Sequence, residues 1–223
     1  MATPLRLAVL ASGRGSNLQA VLDAIGDGAL DARVVGVFSD RRTAKALDRA
    51  RDAGIEAIAI SPSKFETREA FDVALFDAIA AVQPDLIVCA GYMRLLGAAQ
   101  VEAWHGRMIN IHPSLLPLYK GLRTHDQALA AGASEHGCSV HFVTAELDGG
   151  PVIAQATVPV LPHDDAEALS ARVLDREYPL LIATLQLFAA RRLRLHGGSV
   201  EFDGRPLQRP LRLAGMDLRE IDA

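Results

Sequence analysis

Short apolar runs alternate with longer amphipathic segments through the first half of this 223-residue chain, and that alternation restricts its fold more than any other feature. Residues 5–10, 33–38, 55–60, 85–90 and 107–111 read as strands. Between them, residues 17–27, 42–53, 66–82 and 95–104 carry apolar side chains at helical spacing, as in Leu18, Val21, Leu22 and Ile25. Gly54 stands where a helix would end in a left-handed residue. Strand and helix in strict turn predict an α/β protein with a parallel, doubly wound sheet. Ligands of such sheets bind outside the carboxyl ends of the strands, which directs attention to the segments after each strand.

The second half is less regular. Residues 123–131 read as a short helix, and 137–144 and 151–160 as two strands joined through a turn at Asp148. Residues 164–191 form a long helical stretch that Pro179 is expected to kink or break. Asp203-Gly204 predicts a small hairpin, followed by an extended tail. With no linker or repeat, residues 1–223 read as a single domain, with sections at 1–105, 106–200 and 201–223.

The net charge of −4 supplies no basic field for nucleic acid. No window approaches the apolar length of a membrane span, and the N-terminal run is too short for a secretion signal. Cys89 and Cys138 form neither a C-x-x-C pair nor a disulfide framework, so a cytoplasmic, reducing setting is expected. Seven histidines include no H-E-x-x-H or close Cys/His ligand set, and no metal is expected.

Asn110-Ile111-His112-Pro113 ends the fifth strand. Positions i and i+2 of a strand share a face, so Asn110 and His112 converge, and Pro113 stops the strand after them. A carboxamide donor beside an imidazole suits stabilising an oxyanion and moving a proton. Asp148, in Glu-Leu-Asp-Gly-Gly-Pro, is the third candidate. Paired with His112 it would raise that histidine's pKa and orient its ring; alternatively it bonds its own turn amides. No G-x-S-x-G elbow is present, so direct, noncovalent transfer fits better than a covalent intermediate.

Four further segments are open to two readings. Ser12-Gly13-Arg14-Gly15-Ser16-Asn17 follows the first strand, either cradling a phosphate at a helix N-terminus or forming a tight turn that Ser16 or Asn17 caps. Asp40-Arg41-Arg42 could read a dinucleotide, but the glycine fingerprint is incomplete and a solvated helix start is preferred. Arg68 reads locally as a surface charge. Met93-Arg94-Leu95-Leu96 could hold a flat heterocycle, though its local pattern favours core packing at a helix start.

These motifs, in this order, resemble the phosphoribosylglycinamide formyltransferase family, folate-dependent enzymes of purine biosynthesis. The resemblance rests on the glycine loop, Gly91-Tyr92-Met93-Arg94-Leu95-Leu96, Asn110 to Pro117, Gly137-x-Ser139-Val140-His141-Phe142-Val143 and Glu146 to Pro151. It implies a Rossmann-like, mostly parallel sheet flanked by helices, with the site between two halves. It further implies that Gly15, Ser16 and Asn17 hold the substrate phosphate and that Glu177 contacts the glycinamide end. Arg68, Met93, Arg94, Leu95, Leu96 and Asn110 would bind the folate. Asn110, His112 and Asp148 would be catalytic. The co-substrate would be 10-formyltetrahydrofolate, the partners small molecules only, and the protein a monomer or homodimer. Two positions depart from the family pattern: Glu177-Tyr178-Pro179 replaces a Glu-His-x-x-Tyr-Pro run, and Arg123 stands where a histidine is common. Rival readings are a formyltetrahydrofolate hydrolase, a methionyl-tRNA formyltransferase, for which the chain is too short, and an NADP-binding oxidoreductase.

Overall fold

The computed structural model describes residues 3–220, which divide after Asn110 into two compact units. In the first unit β1 (Leu5–Leu10), β2 (Ala32–Ser39), β3 (Ala57–Ala59), β4 (Leu86–Cys89) and the start of β5 (Met108–His112) pair in parallel, in the order β3-β2-β1-β4-β5. The connecting helices are α1 (Ser16–Gly26), α2 (Lys45–Asp52), α3 (Arg68–Ala81) and α4 (Ala98–Ala103). This is the predicted doubly wound arrangement, and its order reverses between β1 and β4. Leu7 to Leu10 are buried without alternation because helices cover both faces of a parallel sheet. Phe38, Phe71, Leu18, Leu47, Leu75 and Ile79 complete that core.

Helix ends differ from the predicted ones where the cap is not read from apolar spacing. The stretch expected as a helix from 66 begins instead with a 3-10 turn at Pro62–Lys64, and α3 starts after Thr67, whose hydroxyl accepts the Ala70 N–H. The second helix starts at Lys45 rather than 42, because Ser39 Oγ accepts the Arg41 N–H and a turn closes from Ala44 back to Arg41.

In the second unit β6 (Glu135–Phe142) and β7 (Val152–Pro159) pair antiparallel, and α5 (Thr124–Ala130) precedes them. The long helix α6 (Ala166–Ala189) packs against both strands with Leu169, Val173, Glu177, Leu180, Leu181, Thr184 and Leu185 buried. Their spacing is that of one helical face. Asp165 caps it by accepting the Ala168 N–H at 2.8 Å. The helix runs through Pro179 without ending, so of the expected kink or break the break does not occur. One lost backbone hydrogen bond is outweighed by an apolar face buried on either side of the proline.

The C-terminal segment holds more structure than a hairpin and tail. β8 (Leu193–His196), β9 (Ser199–Phe202) and β10 (Arg205–Pro206) form a small antiparallel sheet. Its second turn is the predicted Asp203-Gly204, at φ of 50° and 77°, the left-handed pair a tight hairpin requires. β11 (Leu211–Ala214) then adds in parallel to β7, and β12 (Asp217–Arg219) returns antiparallel to it. Residues 221–223 of the predicted tail lie outside the described residues.

Candidate active site

In the first unit the segments after β1 and β4 meet at the strand-order reversal. Gly15, at φ 69°, is the N-cap of α1, and no side chain caps the helix, so neither Ser16 nor Asn17 acts as the predicted cap. A Cβ on Gly15 would stand 2.7 Å from Ala46, so the loop is pressed against the start of α2 and only glycine fits. Arg49 adds a hydrogen bond from its Nε to the Arg14 carbonyl at 2.9 Å. The uncapped first turn of α1 therefore presents backbone N–H groups in a rigid frame, the geometry that suits a phosphate.

Ser12 ties this loop to the segment after β4. Its hydroxyl donates to Asp40 Oδ1 at 2.6 Å and accepts the Met93 N–H at 3.0 Å. Asp40 is thus buried and committed, in place of the solvated helix start expected for it. Met93 and Leu95 are more than half exposed, at 55% and 56%, which overturns the expectation of core packing. Helix α4 does not begin until Ala98, so residues 93–96 stand free of any helix. Arg68 donates from Nη2 to the Leu95 carbonyl at 2.7 Å and lies 3.6 Å from Asp72. It is therefore bound into the segment and is not a bare surface charge.

In the second unit His112, Asp148 and His141 form a row. His112 Nδ1 is 3.5 Å from Asp148 Oδ2, and His141 Nε2 is 3.6 Å from Asp148 Oδ1. All three side chains are nearly buried. Asp148 sits at φ 46°, and its Oδ2 accepts the Gly121 N–H at 2.9 Å, so it braces a different loop and not its own turn. The far edge of His112 faces the Tyr119 carbonyl, 3.2 Å from Nε2. His141 Nδ1 donates to the Phe142 carbonyl at 2.8 Å.

Both ring nitrogens of His112 face acceptors, which favours the imidazolium, but burial away from water opposes it more strongly. The net pKa lies below the usual 6.5, opposite to the rise expected from Asp148 alone. At 3.5 Å, and shared with Gly121 and His141, the carboxylate does not repay the lost hydration. Burial also works to raise Asp148, but the facing His141 Nε2, the Gly121 N–H bond and the neighbouring His112 outweigh it and hold the carboxyl below its ordinary range.

Asn110 and His112 occupy alternate positions of β5, Asn110 the more exposed of the two. The turn after them is fixed by a buried polar knot. Ser139 Oγ donates to the Ser114 carbonyl at 2.7 Å and accepts the Leu116 N–H at 3.0 Å. Gln155 Nε2 donates to both Ser139 Oγ and the Leu116 carbonyl. Ser114 and Thr124 bond the main chain of the same turn. Motif reading singled out none of Ser139, His141 and Gln155 as site residues. The signal available was Ser139-Val140-His141, two polar residues on alternate positions of an apolar strand.

Glu177 is buried on α6, although Pro179 follows so closely. Arg123 adopts φ 54° as the N-cap of α5. Burial raises both thiols, Cys89 to about 12, so neither is a nucleophile at neutral pH. Among the described residues no group of His, Cys, Asp and Glu could hold a metal ion, and no helix is long and apolar enough to cross a membrane.

Residues 5–185 match the family model described as formyl transferase. The chain is 47% identical over 203 residues to the phosphoribosylglycinamide formyltransferase of Escherichia coli, covering 91% of this chain and 96% of that one. The solved phosphoribosylglycinamide formyltransferase of Coxiella burnetii superposes with a TM-score of 0.88 at 48% identity, over 92% of this chain and 96% of the other. A formyltetrahydrofolate deformylase from Pseudomonas syringae also superposes, with a TM-score of 0.83, but at 26% identity and over 66% of its length.

Proposed function

Since this chain belongs to the formyl transferase family, we propose that it transfers the formyl group of 10-formyltetrahydrofolate to the primary amine of 5′-phosphoribosylglycinamide, in purine biosynthesis. The observation that carries the chemistry is the buried His112–Asp148 pair, two residues along β5 from Asn110. The choice of acceptor is supported by likeness to the E. coli enzyme over nearly the whole of both chains. The deformylase likeness is weaker in sequence and covers two thirds of that protein.

The neutral amine attacks the formyl carbon, and negative charge develops on the formyl oxygen. Donors from Asn110 and the His112 ring stabilise it. His112 already presents a ring edge to an oxygen, the Tyr119 carbonyl, and a formyl oxygen would take that kind of position. A neutral imidazole still carries one ring N–H, and His112 stabilises the oxyanion by donating that N–H as a hydrogen bond without gaining or losing a proton. Asp148, held ionised, receives through water the proton that the amine nitrogen sheds. The C–N bond to the folate then breaks, and that proton passes to the leaving folate nitrogen.

The first turn of α1, with Gly15, Ser16 and Asn17, would hold the substrate phosphate, and Glu177 the glycinamide end. The 93–96 segment with Arg68 would hold the pterin. Met93 N–H is taken by Ser12 and Leu95 C=O by Arg68, so those two bonds would fix the segment while its other main-chain groups read the heterocycle. Two free, buried cysteines fit a cytoplasmic enzyme; a monomer or homodimer is what the family resemblance implies.

The test is turnover of purified protein with formyl folate, with and without the amine. Tetrahydrofolate should form only when the amine is present. His112→Ala and Asp148→Asn should each lose at least ~10²-fold in turnover. Formate release without the amine, or near-wild-type turnover in both variants, would overturn the reading.

A further inference from the structure

The first two turns of α3 hold the 94–97 segment through three side chains on one helical face. Arg68 Nη2 donates to the Leu95 carbonyl at 2.7 Å. The Phe71 ring lies under the Arg94 guanidinium, 5.3 Å from its centroid. Asp72 faces the Gly97 N–H, which favours its ionised form, and its Oδ2 stands 3.6 Å from Arg68 Nε. Positions 68, 71 and 72 are i, i+3 and i+4, so one face of one helix meets residues 95, 94 and 97 of the loop. Gly97 is fitted to Asp72: a Cβ there would stand 2.7 Å from Oδ2.

Asp72 is 2% exposed, whereas the Arg68 side chain is 46% exposed. Burial drives the Asp72 carboxyl pKa upward, against the pull of Arg68, the Gly97 N–H and Arg94. A neutral amide of the same shape would serve Gly97 equally well. What only a carboxylate supplies is a fixed negative charge against Arg68, which limits the orientations of a long, otherwise mobile side chain. Retaining a charge that burial opposes points to function and not to stability.

We propose that Asp72 is a positioning residue for the formyl donor: its carboxylate locks Arg68 onto the Leu95 carbonyl and so presets the 93–96 segment for the pterin. The inference rests on the folate role proposed above. Asp72 touches neither substrate, so it acts on donor binding and not on the transfer step.

Asp72→Asn in the full-length protein separates the two roles of the carboxylate, since the amide keeps an oxygen for Gly97. KM for formyl folate should rise about 10-fold, the loss expected for a hydrogen bond to a charged group. KM for the amine substrate and kcat should stay within about twofold, with the melting temperature equal to or above wild type. Arg68→Met should raise the same KM, and adding Asp72→Asn to it should add little, because the two act as a unit. An unchanged formyl-folate KM in Asp72→Asn would overturn the proposal. A rise in both KM values together with a lower melting temperature would do the same, marking Asp72 as merely structural. Wild-type protein that shows no saturable use of formyl folate would instead bring down the functional reading itself.

Discussion

Asp72 and Asp148 are both buried aspartates with cationic or imidazole neighbours, yet their carboxyl groups shift in opposite directions. Burial is the largest influence on each, and it raises both. Asp148 overcomes it with His141 Nε2 at 3.6 Å, a 2.9 Å bond from Gly121 N–H and His112 Nδ1 at 3.5 Å. Asp72 has one backbone N–H and an Arg68 guanidinium at 3.6 Å that water screens on its outer side. Close N–H donors compensate lost hydration, and a half-exposed cation does so less well. Asp148 is built to remain a base through a reaction. Asp72 is built to hold a loop.

The largest effect separating the two is on turnover, where Asp148→Asn should collapse catalysis while Asp72→Asn spares kcat. A Gly150→Ala variant should act strongly on stability, and on turnover as well through the displaced Asp148. Its new Cβ would lie 1.8 Å from the Phe142 carbonyl oxygen, which forces the turn carrying Asp148 away from β6. A loss of about 3 kcal/mol is expected by urea unfolding.

Stability at neutral pH should separate the aspartates next. The lowered Asp148 pKa means that ionisation stabilises the fold above the unfolded value of 3.8, an effect lost as pH falls through the folded value. Asp148→Asn should therefore lose about 1–3 kcal/mol at neutral pH. The raised Asp72 pKa has the reverse sign: its contribution is present in acid and disappears as pH rises past the folded value. Asp72→Asn should melt no lower than wild type. A large loss in Asp72→Asn and none in Asp148→Asn would reverse the comparison.

The smallest expected effect is acid sensitivity in the second unit. His136 is buried beside His125, Nε2 to Nδ1 at 3.1 Å, and burial first, then His125, lowers its pKa to about 4. The unfolded chain binds this proton from pH 6.5 downward, so stability is complete above 6.5 and drains as pH falls to about 4. Urea midpoints across that interval should fall, and His136→Phe should flatten the decline.

The strand-helix alternation made the first unit legible, because the central apolar runs such as Leu7 to Leu10 and Leu86 to Cys89 are buried without alternation. Asp203-Gly204 was legible because few residue pairs adopt two successive left-handed conformations. The end of the chain was less so. β11 and β12 are four and three residues long, and β11 is fixed by pairing with β7, 57 positions earlier, as in Leu211 beside Ala154. Pro179 misled because a local rule for ending helices ignores the apolar face buried on both sides of it. Met93 and Leu95 misled because an apolar side chain reads as core until its exposure is known.

The alternation of strands and helices, the same-face placement of Asn110 and His112, and the glycine at position 15 are properties of the sequence alone. They follow from local periodicity and from the conformations each residue permits. The sequence also carried the family motifs that name the formyl donor and its acceptor. Only the tertiary structure decided that His112 is held below its usual pKa, that Asp148 leans on Gly121 and His141, and that Asp72 stands behind Arg68. Charge and proton affinity depend on distance, burial and the count of N–H partners, and those are set by residues far apart in the chain.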